Sequence, residues 1–178
     1  MWGDNVDLFL DSCIIISYHI PCHPHNKIVS DFYDTHNINS QTTCKRVEKE
    51  VNKKLREILE EFKNSGELSD SDIRKIRHAV RKFFRNIPVD DFSTLNTFLF
   101  NDLDIELEKV MKNSSDRAIF ANAILWNLHY NPANPIFLTL DKKDYRNTWG
   151  IMLAVTNCLN NNGHNVNNLK KLIEIMIL

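Results

Sequence analysis

Residues 6–17, VDLFLDSCIIIS, combine β-branched and apolar side chains with an acid near their middle, Asp11. This composition predicts a buried strand of the kind found in parallel sheets, where helices cover both faces. A carboxylate inside an apolar strand is unfavourable unless it is paired or binds a metal ion. Asp11 is therefore the first candidate for a functional residue.

The bulk properties are those of a globular chain without a global attraction to nucleic acid. The chain has 178 residues and a net charge of −1, so we expect residues 1–178 to form one domain and any nucleic-acid binding to depend on a local patch. No apolar run approaches the ~20 residues that cross a membrane. The start MWGDNVDLFLD lacks the basic lead of a signal peptide, which favours a cytoplasmic location without membrane contact.

A second apolar strand, IFLTL at residues 136–140, is predicted to end directly before Asp141. Between the two strands, apolar spacing together with start and stop residues predicts helices over residues 43–66, 69–86, 91–112 and 114–130. This order of strands and helices indicates an α/β fold with a parallel sheet.

The ends of these helices are predicted from capping residues. Thr43 is the expected N-cap of the first helix, and Ser114 or Ser115 that of the fourth. Residues 145–159 are also predicted to be helical. The apolar residues 169–178 fit a helix and a strand equally well.

Three acids besides Asp11 lie at positions where ligands bind in α/β proteins. Asp141 follows the second strand, Asp144 comes shortly after it, and Asp116 lies in the first turn of an apolar helix. The carboxyl ends of parallel strands are common ligand sites. Each acid alone also has an ordinary structural explanation. For Asp116 this is the helix dipole, which stabilises an acid in a first helical turn by ~0.3–1 kcal/mol.

Convergence of these acids on one sheet edge would make a metal site. Carboxylate oxygens suit a hard cation such as Mg²⁺ or Mn²⁺, which can assist phosphodiester hydrolysis. The first long helix could contribute Glu48 or Glu50, and helical periodicity places Glu48 nearer the apolar face.

Four short segments, in this order, resemble the PIN-domain nucleases, a family that includes the VapC-type toxins. DLFLDSCIII resembles the first strand with its metal-binding Asp, here Asp11, and RVEKEV resembles a helix start where a Glu precedes an apolar residue, here Glu50. SSDRAIFANAIL is similar to a segment in which an Asp precedes small and apolar residues, here Asp116. FLTLDKKDY resembles a late strand that ends in Thr-x-Asp with a further Asp behind it, here Thr139, Asp141 and Asp144.

The resemblance implies a three-layer α/β/α fold with a central parallel sheet, and Mg²⁺- or Mn²⁺-dependent cleavage of single-stranded or structured RNA. It implies four metal ligands, namely Asp11, Glu50, Asp116 and Asp141. Asp144 would be a further ligand or position water, and Thr139 would hydrogen-bond a carboxylate or the substrate. Compared with compact members of the family, residues 64–112 are predicted to be an inserted helical hairpin.

The predicted helix at residues 69–86 carries a basic face, made of Arg74, Lys75, Arg77, Arg81, Lys82 and Arg85. Such a face is either a solvated surface or a contact for RNA phosphates. Arg74, Arg77 and Arg81 are our candidate substrate-binding residues.

Two other functions remain open beside a ribonuclease. One is a catalytically degenerate module that binds RNA or a regulatory protein, and the other is a toxin held by an antitoxin. A homodimer is expected only by analogy with the family.

The turn HIPCHPH also offers metal-ligating atoms, from His19, Cys22, His23 and His25. Structural zinc usually requires two ligand pairs that close on one ion. No second pair follows in the sequence, so we expect a polar loop, with zinc binding as the alternative.

Overall fold

Five strands and seven α-helices follow one another along residues 5–178, the part of the chain that the computed structural model describes. Their bounds are β1 Asn5–Leu10, α1 Ser12–His19, α2 Asn26–Thr35, β2 Asn37–Cys44, α3 Lys45–Asn64, α4 Asp70–Asn86, β3 Val89–Asp90, α5 Thr97–Glu108, α6 Ser114–Tyr130, β4 Pro135–Thr139, α7 Thr148–Asn161 and β5 Glu174–Ile177. No helix in this range is long and apolar enough to cross a membrane. The predicted domain and the N-terminal stretch MWGDNVDLFLD also include residues 1–4, which lie outside the described range.

All five strands are parallel and lie in the order β3-β2-β1-β4-β5. The chain moves outward from β1 through β2 to β3, and then crosses back to β4 and β5. Right-handed crossovers therefore place α1–α4 on one face of the sheet and α5–α7 on the other. The contacts agree, since α1 packs against α2, α3 and α4, whereas α5 packs against α6 and α7. The predicted three-layer α/β/α fold with a central parallel sheet is confirmed.

The middle strand β1 forms the centre of the core. Leu8, Phe9 and Leu10 are fully buried, and the Phe9 ring contacts the rings of Trp126 and Phe137. The strand order reverses between β1 and β4, so the crevice outside their carboxyl ends is the switch point at which open α/β sheets bind ligands.

The prediction of one strand over residues 6–17 is wrong in its second half. β1 ends at Leu10, and Asp11 is the N-cap of α1, with its side chain accepting a hydrogen bond from the backbone N–H of Ser12. This local hydrogen bond starts a helix despite the β-branched residues 14–16, whose side chains are all buried. Asp11 thus lies at the edge of the sheet.

Two predicted helix starts are also shifted. Cys44 is the N-cap of α3, while the hydroxyl of Thr43 donates a buried hydrogen bond of 2.7 Å to the carbonyl of Leu10. This bond joins β2 to β1, so Thr43 stabilises the pairing of these strands and does not cap α3. α6 is capped by Asn113 instead of the serines that follow it.

Other boundaries follow local capping. The predicted helix over residues 91–112 is a 3₁₀ turn, Phe92–Thr94, and then α5, which begins after the capping side chain of Asn96. The helix predicted at residues 145–159 starts later, as α7, with Asn147 as its cap.

Residues 64–112 contribute to both helical layers. They include α4, which packs against α1 and α3, then β3, which extends the sheet, and α5, which packs against α6 and α7. The two helices therefore do not pack as one separate hairpin. That this segment is an insertion, and that residues 1–178 are a single domain, stays a prediction.

The C-terminal apolar residues form the edge strand β5, which a buried asparagine holds in place. The Asn127 carboxamide accepts a hydrogen bond of 2.9 Å from the backbone N–H of Ile173 and donates one of 3.2 Å to the carbonyl of Lys171. Asn127 is fully buried in α6, so this pair of bonds sets where the chain enters β5.

Replacing Asn127 by Ala is expected to lower the free energy of unfolding by about 1–3 kcal/mol, because the buried N–H of Ile173 loses its partner. Urea unfolding followed by circular dichroism measures this loss. The control Asn157→Ala, at an exposed position of α7, should change stability by less than about 0.5 kcal/mol. Equal stability of the two variants would contradict the anchoring role.

Candidate metal centre

Three aspartates form a carboxylate group at the switch point of the sheet. Asp116, Asp141 and Asp144 each place a carboxylate oxygen within 4.8 Å of the others. Asp116 lies in the first turn of α6, and Asp141 and Asp144 lie in the loop that follows β4. The group therefore joins two segments that are separate along the chain.

Asp116 has an unsatisfied carboxylate. The residue is 8% exposed, and its Oδ2 is buried without a hydrogen-bond partner among the described residues. Burial, the charge of Asp11 and the adjoining carboxylates of Asp144 and Asp141 raise the pKa of Asp116 to about 7. Two carboxylates in contact are favourable only with a shared proton or a cation between them.

Asp11 lies beside this group and is held rigidly. Its Oδ1 accepts from the backbone N–H of Ser12, and its Oδ2 accepts from the Thr139 hydroxyl at 2.6 Å and from the Cys13 thiol at 3.2 Å. Burial raises the pKa of Asp11 although these bonds oppose the rise, and the charge of Glu50 adds to it. The negative charge of Asp11 also raises the pKa of Asp116.

Glu50 reaches the same place from α3. Its carboxylate accepts hydrogen bonds from the Ser12 hydroxyl at 3.0 Å and the Ser115 hydroxyl at 3.4 Å, and it pairs with the Lys54 ammonium one turn further along the helix. No such contact reaches Glu48 among the described residues, so the geometry favours Glu50 over Glu48 as the acid that faces the crevice.

Lys54 is a resident cation next to the acids. Partial burial lowers its pKa, but the hydrogen bond to Glu50 and the charges of Glu50, Asp11 and Asp116 outweigh burial, so the pKa of Lys54 is raised. Its ammonium offsets part of the repulsion among the carboxylates without contacting Asp116 Oδ2.

The donor set fits a hard divalent cation. All available ligand atoms in the group are carboxylate oxygens, the type that Mg²⁺ and Mn²⁺ prefer, and the orphaned Asp116 Oδ2 points to a missing positive partner. The first turns of α1 and α6 also lie here and favour negative charge.

The predicted site residues are thus brought together only in part. Asp116, Asp141 and Asp144 form the group, Asp11 and Glu50 flank it, and Thr139 fixes Asp11. Asp144, predicted as an auxiliary acid, belongs to the tight trio because the backbone N–H groups of Asp144 and Lys143 donate to Asp141 Oδ1 and fold the loop back. The roles of these residues stay predictions.

The arginines predicted to bind substrate lie elsewhere. Arg77 and Arg81 line a cavity of about 330 Å³ between α3 and α4, and none of the acids of the carboxylate group lines it. His19, Cys22, His23 and His25 lie between the C-terminal part of α1 and the start of α2, and the ring Nδ1 of His19 is hydrogen-bonded to the carbonyl of Ile15.

Four polar residues of the site were not identified from the sequence, namely Ser12, Cys13, Lys54 and Ser115. Lys54 could have been found, because it follows Glu50 by four residues and such pairs meet on a helix. The other three depend on which strand ends adjoin, which no local pattern reveals.

Comparison with known proteins identifies the fold. No protein-family model and no curated protein matches the sequence. The structure is similar to a chain in the crystal structure of VapBC2 from Rickettsia felis bound to a DNA fragment from their promoter, with a TM-score of 0.53 and 14% sequence identity. The match covers 96% of this chain and 99% of that chain. At this identity the likeness concerns the fold alone, and it agrees with the three-layer α/β/α PIN-like arrangement.

Thr139→Val is expected to weaken Mn²⁺ binding about 10- to 100-fold, because the Thr139 hydroxyl both holds Asp11 beside the group and accepts from the backbone N–H of Asp141, and such outer hydrogen bonds orient metal ligands. Isothermal titration with Mn²⁺ measures the effect. Thr139→Ser keeps the hydroxyl and should bind as the wild type does. A Val variant with unchanged affinity would show that this hydrogen bond does not orient a ligand.

The metal-free protein should become less stable as the pH rises. The unfolded Asp116 carboxyl has a pKa near 3.8 and the folded one about 7, so the folded state holds the proton more tightly between these values. The stabilisation is fully present below the lower value and is lost as the pH rises through the higher one.

Asp116→Asn removes the ionisable carboxyl and therefore the loss of stability that its ionisation causes at high pH. Above the higher pKa we expect the metal-free variant to melt at least about 2–4 °C above the wild type, the shift that corresponds to about 1 kcal/mol. Near the lower pKa the two should melt together. Thermal melts in EDTA over a pH series provide the measurement, and a variant that is less stable at high pH would contradict the assigned repulsion.

Proposed function

We propose that this protein is a metal-dependent endoribonuclease that hydrolyses phosphodiester bonds of single-stranded or structured RNA. The observation that carries the proposal is the orphaned, buried Oδ2 of Asp116 within a group of three carboxylates at the switch point of the sheet. Two further points support the proposal: the fold is similar to that of a chain of VapBC2, and the resemblance of the sequence to PIN-domain nucleases implies metal-binding acids at these positions.

Asp116, Asp141 and Asp144 would hold Mg²⁺ or Mn²⁺, with Asp11 and Glu50 beside them. When bound, such a cation activates water for attack and stabilises negative charge on a phosphate. The protein supplies the fixed geometry: Thr139 holds Asp11, and two backbone N–H groups hold Asp141. The Lys54 ammonium gives the acidic crevice one positive group that a phosphate can approach.

The direct test is cleavage of a labelled single-stranded RNA with Mg²⁺ or Mn²⁺. Asp11→Asn should reduce the rate at least about 10-fold, because loss of even an outer group at a metal site lowers activity about 10- to 100-fold. EDTA should abolish cleavage by the wild type.

Asp7→Asn is a matched control, since Asp7 is buried on the same strand but at its other end, where it accepts from Asn39 and Ser40. This variant should cleave RNA at the wild-type rate at temperatures where it is folded. The proposal fails if the wild type leaves RNA intact, if EDTA has no effect, or if Asp11→Asn and Asp7→Asn behave alike. RNA binding without cleavage would indicate the degenerate module.

A second candidate is a toxin-type ribonuclease that is held by an antitoxin. The similar chain comes from VapBC2, a complex solved on promoter DNA, and this favours a protein partner for the present chain as well. A small reading frame immediately upstream, whose product co-purifies with this protein and blocks RNA cleavage, would be expected. Homodimer formation and a cytoplasmic location stay predictions.

A further inference from the structure

A basic cleft opens directly beside the acids. It has a volume of about 950 Å³ and lies between α3 on one side and α5 and α6 on the other, above the carboxyl ends of β2 and β3. Glu50 is part of its lining, together with Lys54 and Ser115, which both contact the Glu50 carboxylate. None of Asp116, Asp141 and Asp144 lines the cleft, so it adjoins the carboxylate group through Glu50, which also contacts Ser12 beside Asp11.

One wall of the cleft is a row of lysines on α3. Lys45, Lys49 and Lys53 are spaced four residues apart, so they lie along one face of the helix, and all three line the cleft and are exposed. Within the described residues none of the three has an ion-pair partner. At 1.5 Å per residue the row is about 12 Å long, which exceeds a single phosphate group and suits a polymer with repeated negative charges.

The acids of the lining offset only part of this charge. Asp104 is paired with the buried guanidinium of Arg117 at 3.1 Å, and Glu50 is paired with Lys54. Asp91 and Glu57 have no ion-pair partner among the described residues, but the lysine row and Arg46 supply four unpaired cations against these two acids. Phe100 is the only aromatic residue of the lining and is half-buried. A basic row that faces an aromatic side chain is the combination that binds single-stranded nucleic acids, because the backbone follows the charges and bases stack.

We infer that the cleft binds the phosphate backbone of single-stranded RNA through Lys45, Lys49 and Lys53 and leads the strand to the carboxylate group. The inference rests on the proposed function for its choice of RNA as the ligand. It moves the substrate contacts from the arginine face of α4, whose Arg77 and Arg81 line a separate cavity, to the lysine row of α3.

The test compares two triple variants in the Asp11→Asn background, so that bound RNA is not cleaved. Lys45→Ala/Lys49→Ala/Lys53→Ala removes the row, and Arg74→Ala/Arg77→Ala/Arg81→Ala removes the same number of charges from α4. The probe is a fluorescein-labelled oligouridine in EDTA, and its anisotropy gives the affinity over a series of salt concentrations.

The α3 variant should lower the slope of log affinity against log salt by about 2, since each phosphate contact on a single strand contributes about 0.7. Its affinity at physiological salt should fall at least tenfold. The α4 variant should keep the parental slope. Lys45→Gln/Lys49→Gln/Lys53→Gln, which preserves side-chain length, should repeat the α3 result and guards against a folding defect.

Three results would overturn the inference: equal slope changes in the two triple variants, a larger change in the α4 variant, or displacement of the oligouridine by oligoglutamate of equal charge, which would indicate an acidic protein ligand. Failure of the proposed function is distinguishable. If the protein binds RNA through the α3 row but the wild type does not cleave it, the inference stands and the catalytic proposal fails. If the wild type cleaves RNA but the α3 variant binds RNA as tightly as its parent, the catalytic proposal stands and the inference fails.

Discussion

The hydrogen bond from the Thr139 hydroxyl to Asp11 Oδ2 joins the carboxyl ends of β1 and β4, and the arrangement of the site depends on it. These two strands adjoin at the place where the strand order reverses. The same hydroxyl accepts from the backbone N–H of Asp141, so one side chain sets the positions of two acids from distant parts of the chain. The core residues around Phe9 make this edge rigid, because close-packed interiors allow little displacement.

Electrostatic repulsion is the second constraint. Burial and the charge of Glu50 raise the pKa of Asp11, and burial and the charges of Asp11, Asp144 and Asp141 raise that of Asp116, so this edge opposes folding when all its acids are ionised. Lys54 relieves part of the repulsion through Glu50. A divalent cation would relieve the rest, and a site that is strained without its ligand is a recurrent feature of functional centres. The adjoining lysine row of α3 adds positive charge where a polyanion could enter without competing for the carboxylates.

The sequence predicted the parallel sheet and an acid, Asp141, directly after one of its strands, whereas it placed Asp11 inside a strand that in fact ends before it. Asp11 and Asp141 come directly after apolar runs, and such ends meet at one edge when strands are parallel. The strand assignment failed at residues 14–16, where the Asp11 cap outweighs β-propensity, and residues 169–178 stayed ambiguous because their apolar run fits either structure.

Side-chain roles that depend on tertiary contacts were harder to foresee. Helical periodicity favoured Glu48, yet Glu50 faces the crevice because Ser12 and Ser115 lie on that side of α3. Asp144 joins the trio through a turn that hydrogen bonds to Asp141 stabilise, whereas the resemblance implied only an auxiliary role for it. The basic face of α4 was conspicuous in the sequence, whereas the lysine row of α3 becomes significant only beside the cleft.

The most direct measurement of the central claim, that these carboxylates form a divalent-cation site, is an anomalous difference map from a crystal soaked in Mn²⁺. We expect an anomalous peak coordinated by Asp116, Asp141 and Asp144, with Asp11 beside it, and no such peak in a crystal of Asp116→Asn. A well-ordered map with no peak at this group, or with manganese bound only at other places, would contradict it.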